Sequence, residues 1–241
     1  MRIFSQWNLH GKGYLEETWS NYKEMQLDFE YSSYSEERNI MLNDIKSIVI
    51  QSGASLEGNS FYFHQTLQEF PELYAKQLNL FWCGKQATKR ICEIGFNAGH
   101  STMLLLLGRK TPLEFTIFDI GHHSYTRPCL EYIQKKYTNI AFEYIEGDSI
   151  QTMPAWIRKH KHLMESYDVV HVDGGHSEPC IFNDMKNADA LVKVDGIMII
   201  DDTNIDYINK YVDLYLSSGL YIELGMIKTV GYPHRVLQKI A

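Results

Sequence analysis

From residue 90 onward the chain repeats one unit: a short β-rich run, an exit through glycine or acid, and a helical segment. Runs at Arg90 to Ile94, Phe115 to Ile120, Ala141 to Ile145, Tyr167 to Val172 and Ile197 to Ile200 read as strands. Helical segments follow them at Ser101 to Leu107, Cys129 to Tyr137, Met153 to Lys161, Cys180 to Leu191 and Asp206 to Leu216. Strands that alternate with helices pair in parallel, because each crossover helix returns the chain to the same end of the sheet. The pattern therefore predicts an α/β fold, a doubly wound and mostly parallel sheet covered on both faces. Its ending differs. Leu220 to Thr229 and Arg235 to Ile240 are strand-like and joined by Gly231-Tyr232-Pro233, which predicts a closing antiparallel hairpin.

Residues 1–88 have another texture, with Tyr, Glu, Gln and Asn among scattered apolar side chains. Helical spacing shows in Asn39 to Gln51 (Ile40, Met41, Ile45, Ile48, Val49) and in Glu69 to Trp82 (Phe70, Leu73, Leu78, Phe81). Pro71 sits where a first helical turn tolerates it, and Gly53 to Asn59 is a turn-rich break. This segment reads as a helical N-terminal extension that covers a substrate cleft, with the main domain at 89–241. A chain of 241 residues buries enough surface to fold without staples. Its four cysteines, Cys83, Cys92, Cys129 and Cys180, stand in no zinc spacing and read as reduced, mostly buried small hydrophobes. The net charge of −7 argues against nucleic acid or an anionic membrane as the main partner. No apolar run approaches the roughly 20 residues of a membrane span. Met1 to His10 lacks the apolar stretch of a secretory signal, so a soluble cytoplasmic protein is expected. A homo-oligomer is left open.

In an open α/β sheet, ligands bind beyond the carboxyl ends of the strands. The first strand ends in Glu93-Ile94-Gly95-Phe96-Asn97-Ala98-Gly99-His100-Ser101, where Gly95 and Gly99 permit a sharp turn and close approach of a ligand. The second ends at Asp119, an acid suited to hydrogen-bond a ribose diol. The third leads into Glu146-Gly147-Asp148-Ser149, the fourth into His171-Val172-Asp173-Gly174-Gly175-His176, and the fifth into Asp201-Asp202-Thr203-Asn204. A dinucleotide fold wants G-x-G-x-x-G, with helix amides facing a pyrophosphate. Here the spacing is Gly-x-x-x-Gly, and Glu93 precedes it. An acid there suits a ligand with a positive centre. S-adenosylmethionine has a sulfonium, an ammonium and a ribose diol, and no phosphate.

The E-x-G-x-x-x-G-x-S stretch at 93–101, the acid at 119 and the terminal hairpin resemble the class I S-adenosylmethionine-dependent methyltransferases. The resemblance covers about residues 88–241. It implies cofactor contacts from Glu93, Gly95, Phe96, Asn97, Gly99, Ser101, Asp119, Asp148, Ser149 and Asp173. Within that family, the run from Asp173 to Asp202 resembles the metal-dependent O-methyltransferases of the catechol and antibiotic-sugar types. By motif position, the metal ligands would be Asp173, Asp201 and Asp202. Three carboxylates at neighbouring strand ends repel one another unless a cation sits among them, and oxygen-only ligands favour Mg²⁺. Such an ion chelates neighbouring hydroxyls and lowers the pKa of one. The expected activity is Mg²⁺-dependent O-methylation of a small hydroxylated molecule.

The chain departs from that pattern where a base is needed. The sugar-type enzymes carry an acid two residues after the metal aspartate, and here that position is Gly175. The catechol type has a lysine three residues after it, and here that position is His176. Alongside Asp173, His176 is therefore the catalytic candidate, set against a plain loop or cap role. Asp201-Asp202 can also serve as a helix cap, as can Asp148-Ser149. His100 reads as a local hydrogen-bonding residue, and His122 and His123 as a solvated loop. The competing functions are an NAD-type Rossmann enzyme, a non-catalytic adenosylmethionine-binding or partner-binding module, and a metal-independent methyltransferase on another acceptor such as protein or RNA.

Overall fold

The computed structural model describes residues 14–63, 65–227 and 233–241, with side chains from Glu24 onward. Helices α1 (Tyr14–Ser33), α2 (Ser35–Ser52) and α3 (Tyr74–Gln86) precede the sheet. The chain then runs through β1 (Arg90–Ile94), α4 (His100–Leu106), β2 (Leu113–Asp119), α5 (Thr126–Lys136), β3 (Ile140–Glu146) and α6 (Ser149–Lys159). It continues with β4 (Tyr167–Val172), α7 (Glu178–Leu191), β5 (Val192–Ile200), α8 (Asp206–Ser217), β6 (Tyr221–Glu223) and β7 (Arg235–Lys239). The sheet order is β3-β2-β1-β4-β5-β7-β6. Strands β1 to β5 pair in parallel, and β7 pairs antiparallel with both β5 and β6.

The period of two along each strand divides the core into two layers. Ile91, Phe115, Ile117, Val169, Ile197, Ile199 and Val236 face one layer, with apolar residues of α2, α3, α4 and α5. Cys92, Ile94, Phe118, Val170, Val172, Met198, Ile200 and Leu237 face the other, with α6, α7 and α8. All four cysteines are free, and all but Cys180 are buried. Among the described residues, no helix is long and apolar enough to cross a membrane.

Three expectations shift in detail. The helix expected from Glu69 starts only at Tyr74, after a 3-10 turn at Pro71–Leu73. Phe70 is extended, with φ −119° and ψ 99°, as the ring of a following proline requires. Helix α1 has no counterpart in the sequence reading. Of the expected hairpin, β6 keeps only three residues, and β7 lies between it and β5. Gly231 and Tyr232 lie outside the described residues.

Asp168, early in β4, locks the amino end of the sheet. Its Oδ2 accepts from the backbone N–H of Thr88, Lys89 and Arg90, and Oδ1 accepts from Thr88 Oγ1 and Lys193 Nζ. Burial opposes its charge, but these donors win and hold the carboxyl below its ordinary pKa. Asp168→Ala leaves three backbone donors unpaired and should cost about 3–5 kcal/mol of unfolding free energy, measured by denaturant titration at pH 7. Because the folded pKa is depressed, this contribution is complete above the unfolded pKa of about 3.9 and is lost as pH falls through the folded pKa. Wild type and variant should therefore converge in stability in acid. A gap that does not narrow at all as pH falls would show that the loss is one of packing.

Candidate active site

The strand order reverses between β1 and β4, which places a crevice beyond their carboxyl ends. The loop from β1 to α4 forms one wall. Gly95 has φ +91°, and a Cβ there would lie 1.9 Å from the Asp173 carbonyl oxygen, so only glycine lets the two strand exits touch. Asp119, at the end of β2, grips the same loop: its Oδ2 accepts from Phe96 N at 2.7 Å and Asn97 N at 2.9 Å. Asn97 is held at φ 54°, a left-handed conformation that asparagine tolerates. Its side chain accepts from Tyr125 Oη at 2.7 Å and donates to Gly58 O at 2.8 Å, so the first third of the chain closes directly on the loop.

Glu93 is completely buried. It lies opposite His171 in the β1–β4 register, on the same sheet face. One carboxylate oxygen accepts from Thr102 Oγ1 and the other is 3.1 Å from His171 Nδ1. His171 Nε2 lies 3.2 Å from Asp201 Oδ2, and Lys76 Nζ from α3 lies 2.7 Å from that same oxygen. Burial opposes the imidazolium, yet the bonds to Asp201 and Glu93 push the His171 pKa up to about 10. Burial likewise opposes charge on Asp201, but Lys76 and then His171 hold its carboxyl well below the usual range. Glu93, His171, Asp201 and Lys76 thus form a buried chain of alternating charge that neutralises itself.

Asp173 and Asp202 fall outside that balance. Burial, and next the Asp201 charge, push the Asp173 carboxyl well above its ordinary range. Asp202 sits at φ 54° and its Oδ2 is 2.8 Å from His176 Nε2, a bond that raises the histidine pKa. His176 is more than half exposed, and Tyr207 Oη donates to its carbonyl. The donor atoms of Asp173, His176 and Asp202 lie within 4.8 Å of one another, as do those of His171, Asp173 and Asp201. Asp201 Oδ1 is buried with no hydrogen-bond partner. An orphaned carboxylate oxygen beside Asp173, which has no ion pair among the described residues, fits a divalent cation.

Two of the remaining site candidates, Asp148 and Ser149, begin α6. Asp148 caps the helix by accepting from Ile150 N at 3.0 Å, and Ser149 Oγ is 3.8 Å from Cys180 Sγ. Gly99 precedes α4 with φ +81°, and Ser101 is buried in that helix's first turn. His100 packs its ring against Phe61 and Tyr62 with Nε2 unpartnered, instead of bonding locally, and burial pushes its pKa down to about 4. His123 stacks on Tyr125 and lies 3.3 Å from Glu57, so that loop is tied to the first third of the chain. The sequence reading gave no role to Lys76 or His171. The signal for His171 was a polar residue among the valines of β4; Lys76 left no comparable trace. A surface hollow of about 520 Å³ lined by Glu36, Arg109, Lys110, Lys136 and Asn139 lies at the amino ends of the strands, away from these groups.

A family model described as a methyltransferase domain matches residues 92–203, which run from β1 through the Asp201-Asp202 pair. A crystal structure assigned as an O-methyltransferase from Klebsiella pneumoniae aligns with a TM-score of 0.56 at 15% identity, over 83% of this chain and 90% of that one. The O-methyltransferase from Bacillus cereus, solved in complex with S-adenosylhomocysteine, aligns at 0.53 and 16% identity, over 84% and 91%. No curated protein matches the chain. At such identities the solved structures speak for a shared fold, while the family match falls on the strand exits that build the crevice. Residues 92–203 thus match a methyltransferase domain, and the chain shares the fold of these two solved structures.

Proposed function

We propose that the enzyme methylates a hydroxyl oxygen of a small acceptor, with Mg²⁺ held by Asp173, Asp201 and Asp202. The observation that carries this reading is the charge pattern at the β4 and β5 exits. Glu93 and Asp201 are matched by His171 and Lys76, and Asp202 by the half-exposed His176, which leaves Asp173, with no ion pair among the described residues, beside the unpartnered Asp201 Oδ1. The two solved structures described above bear O-methyltransferase names, which agrees with the choice of acceptor atom.

S-adenosylmethionine supplies an electrophilic methyl group on a sulfonium. The divalent ion, when bound, polarises the acceptor hydroxyl and eases its ionisation. The remaining work falls to the chain. Gly95, Phe96, Asn97, Gly99 and Ser101 shape the cofactor wall, and Asp119 fixes that wall and offers its carboxylate to the ribose. Asp148 and Ser149 stand beside the adenine. Glu93, being buried, acts by fixing the β1 exit against His171. His176, at the crevice mouth, takes the acceptor's proton. Residues 1–88 cover the crevice and select the acceptor, as the Asn97–Gly58 bond and the packing of Phe61 and Tyr62 on His100 suggest. Positioning the acceptor in line with the methyl group supplies much of the rate.

Calorimetry with S-adenosylhomocysteine tests the cofactor half. Asp119→Ala removes a charge-assisted acceptor worth roughly 1.5–3 kcal/mol, so affinity should weaken about tenfold to 150-fold. Release of Phe96 N and Asn97 N should add to that loss. Unchanged affinity in both Asp119→Ala and Glu93→Ala would remove the assignment. Transfer of a labelled methyl group to catechols and sugars, scored at oxygen, tests the acceptor half.

A further inference from the structure

This inference rests on the divalent-ion reading above. We infer that Lys76 is a built-in counter-cation of the ion site, which reserves one oxygen of Asp201 and keeps the ion weakly held. Lys76 comes from α3, outside the matched methyltransferase segment, and only 4% of it is exposed. Its ammonium takes Asp201 Oδ2 at 2.7 Å, an oxygen that also meets His171 Nε2 at 3.2 Å. Only Oδ1 is left, and it is buried and unpartnered. Asp201 can therefore offer an ion a single oxygen. A Mg²⁺ ion is octahedral, so each position the protein leaves unfilled remains for the acceptor's hydroxyls.

The electrostatics and the geometry point in one direction. A fixed positive charge beside the site repels a divalent cation through a low-dielectric interior. Removing that charge lifts the repulsion, and in Lys76→Met it also leaves Oδ2 with His171 as its one remaining partner. A lysine that only buttressed the fold would behave otherwise: its loss would loosen Asp201 and leave ion affinity the same or weaker. Lys76 is thus a positioning residue whose removal should strengthen binding of the ion.

Mn²⁺ binding followed by electron paramagnetic resonance reads this without turnover. Full-length wild type, Lys76→Gln, Lys76→Met and Lys76→Arg are compared, with folding checked by circular dichroism. Lys76→Gln keeps a donor for Asp201 without the charge, so it remains readable if Lys76→Met fails to fold. Wild type should bind one Mn²⁺, Lys76→Gln should bind it at least about tenfold tighter, and Lys76→Arg should match wild type. Adding Asp201→Asn to Lys76→Gln should abolish the gain. A folded Lys76→Gln that binds Mn²⁺ no tighter than a binding-competent wild type overturns the inference and leaves the ion site standing. Binding by Lys76→Gln but not by wild type supports the counter-cation and removes resident metal from the proposed function. No binding by any folded variant overturns both.

Discussion

Asp173→Ala should lower methyl-transfer turnover by about 10²–10⁴, because the several kilocalories per mole that a Lewis-acid ion supplies are lost with its ligand. Chelator-treated wild type should fall by a similar factor and recover on addition of Mg²⁺. Asp173 is the cleanest of the three acids to remove. It lies outside the buried charge chain, whereas Asp201→Ala would also strip Lys76 and His171 of their shared partner. Breaking such a buried pair costs about 3–5 kcal/mol of stability, so Asp201→Ala confounds activity with folding. Asp202→Asn should lower turnover while keeping a ligand oxygen. Affinity for S-adenosylhomocysteine should change little in Asp173→Ala. A chelated enzyme that keeps its full rate would reduce these carboxylates to a structural cluster and end the metal reading.

His176→Ala should cost about 10²–10⁴ in turnover, the usual worth of a positioned general base, with cofactor affinity nearly unchanged. His176 stands three residues past Asp173, its ring is more than half exposed, and its Nε2 touches Asp202. It therefore faces the crevice beside the acids proposed to hold the ion. Tyr207 fixes the backbone beneath it through the bond to its carbonyl, so Tyr207→Phe should lower turnover less than His176→Ala does. A merely structural His176 would shift unfolding temperature and leave kcat in place. If the variant turns over within about threefold of wild type, ionisation of the acceptor needs no dedicated base, and His176 serves only to hold Asp202.

Legibility followed the range of the physics. Strands β1 and β4 begin and end where alternation and apolar runs place them, since a strand's inward face is written in its own few residues. The polar exits at Gly95–Ser101, Asp119, Asp148, Asp173 and Asp201 were equally legible, because parallel topology sends every carboxyl end to one edge. The extension was less legible. Helix α1 carries a weak apolar stripe, and the 3-10 turn at Pro71–Leu73 delays α3 past the start that spacing suggested.

The crowding of acids at the strand ends was already a property of the sequence: carboxylates at adjacent exits repel one another and need protons or cations to neutralise them. Which groups answer that need was decided only by tertiary packing. Register alone makes Glu93 and His171 neighbours, and only the docking of α3 on the sheet brings the Lys76 ammonium to Asp201. Local rules act over a few residues, so they fix faces and exits. A buried ion pair between distant segments forms only because each charge, once desolvated, must find its partner in the same fold.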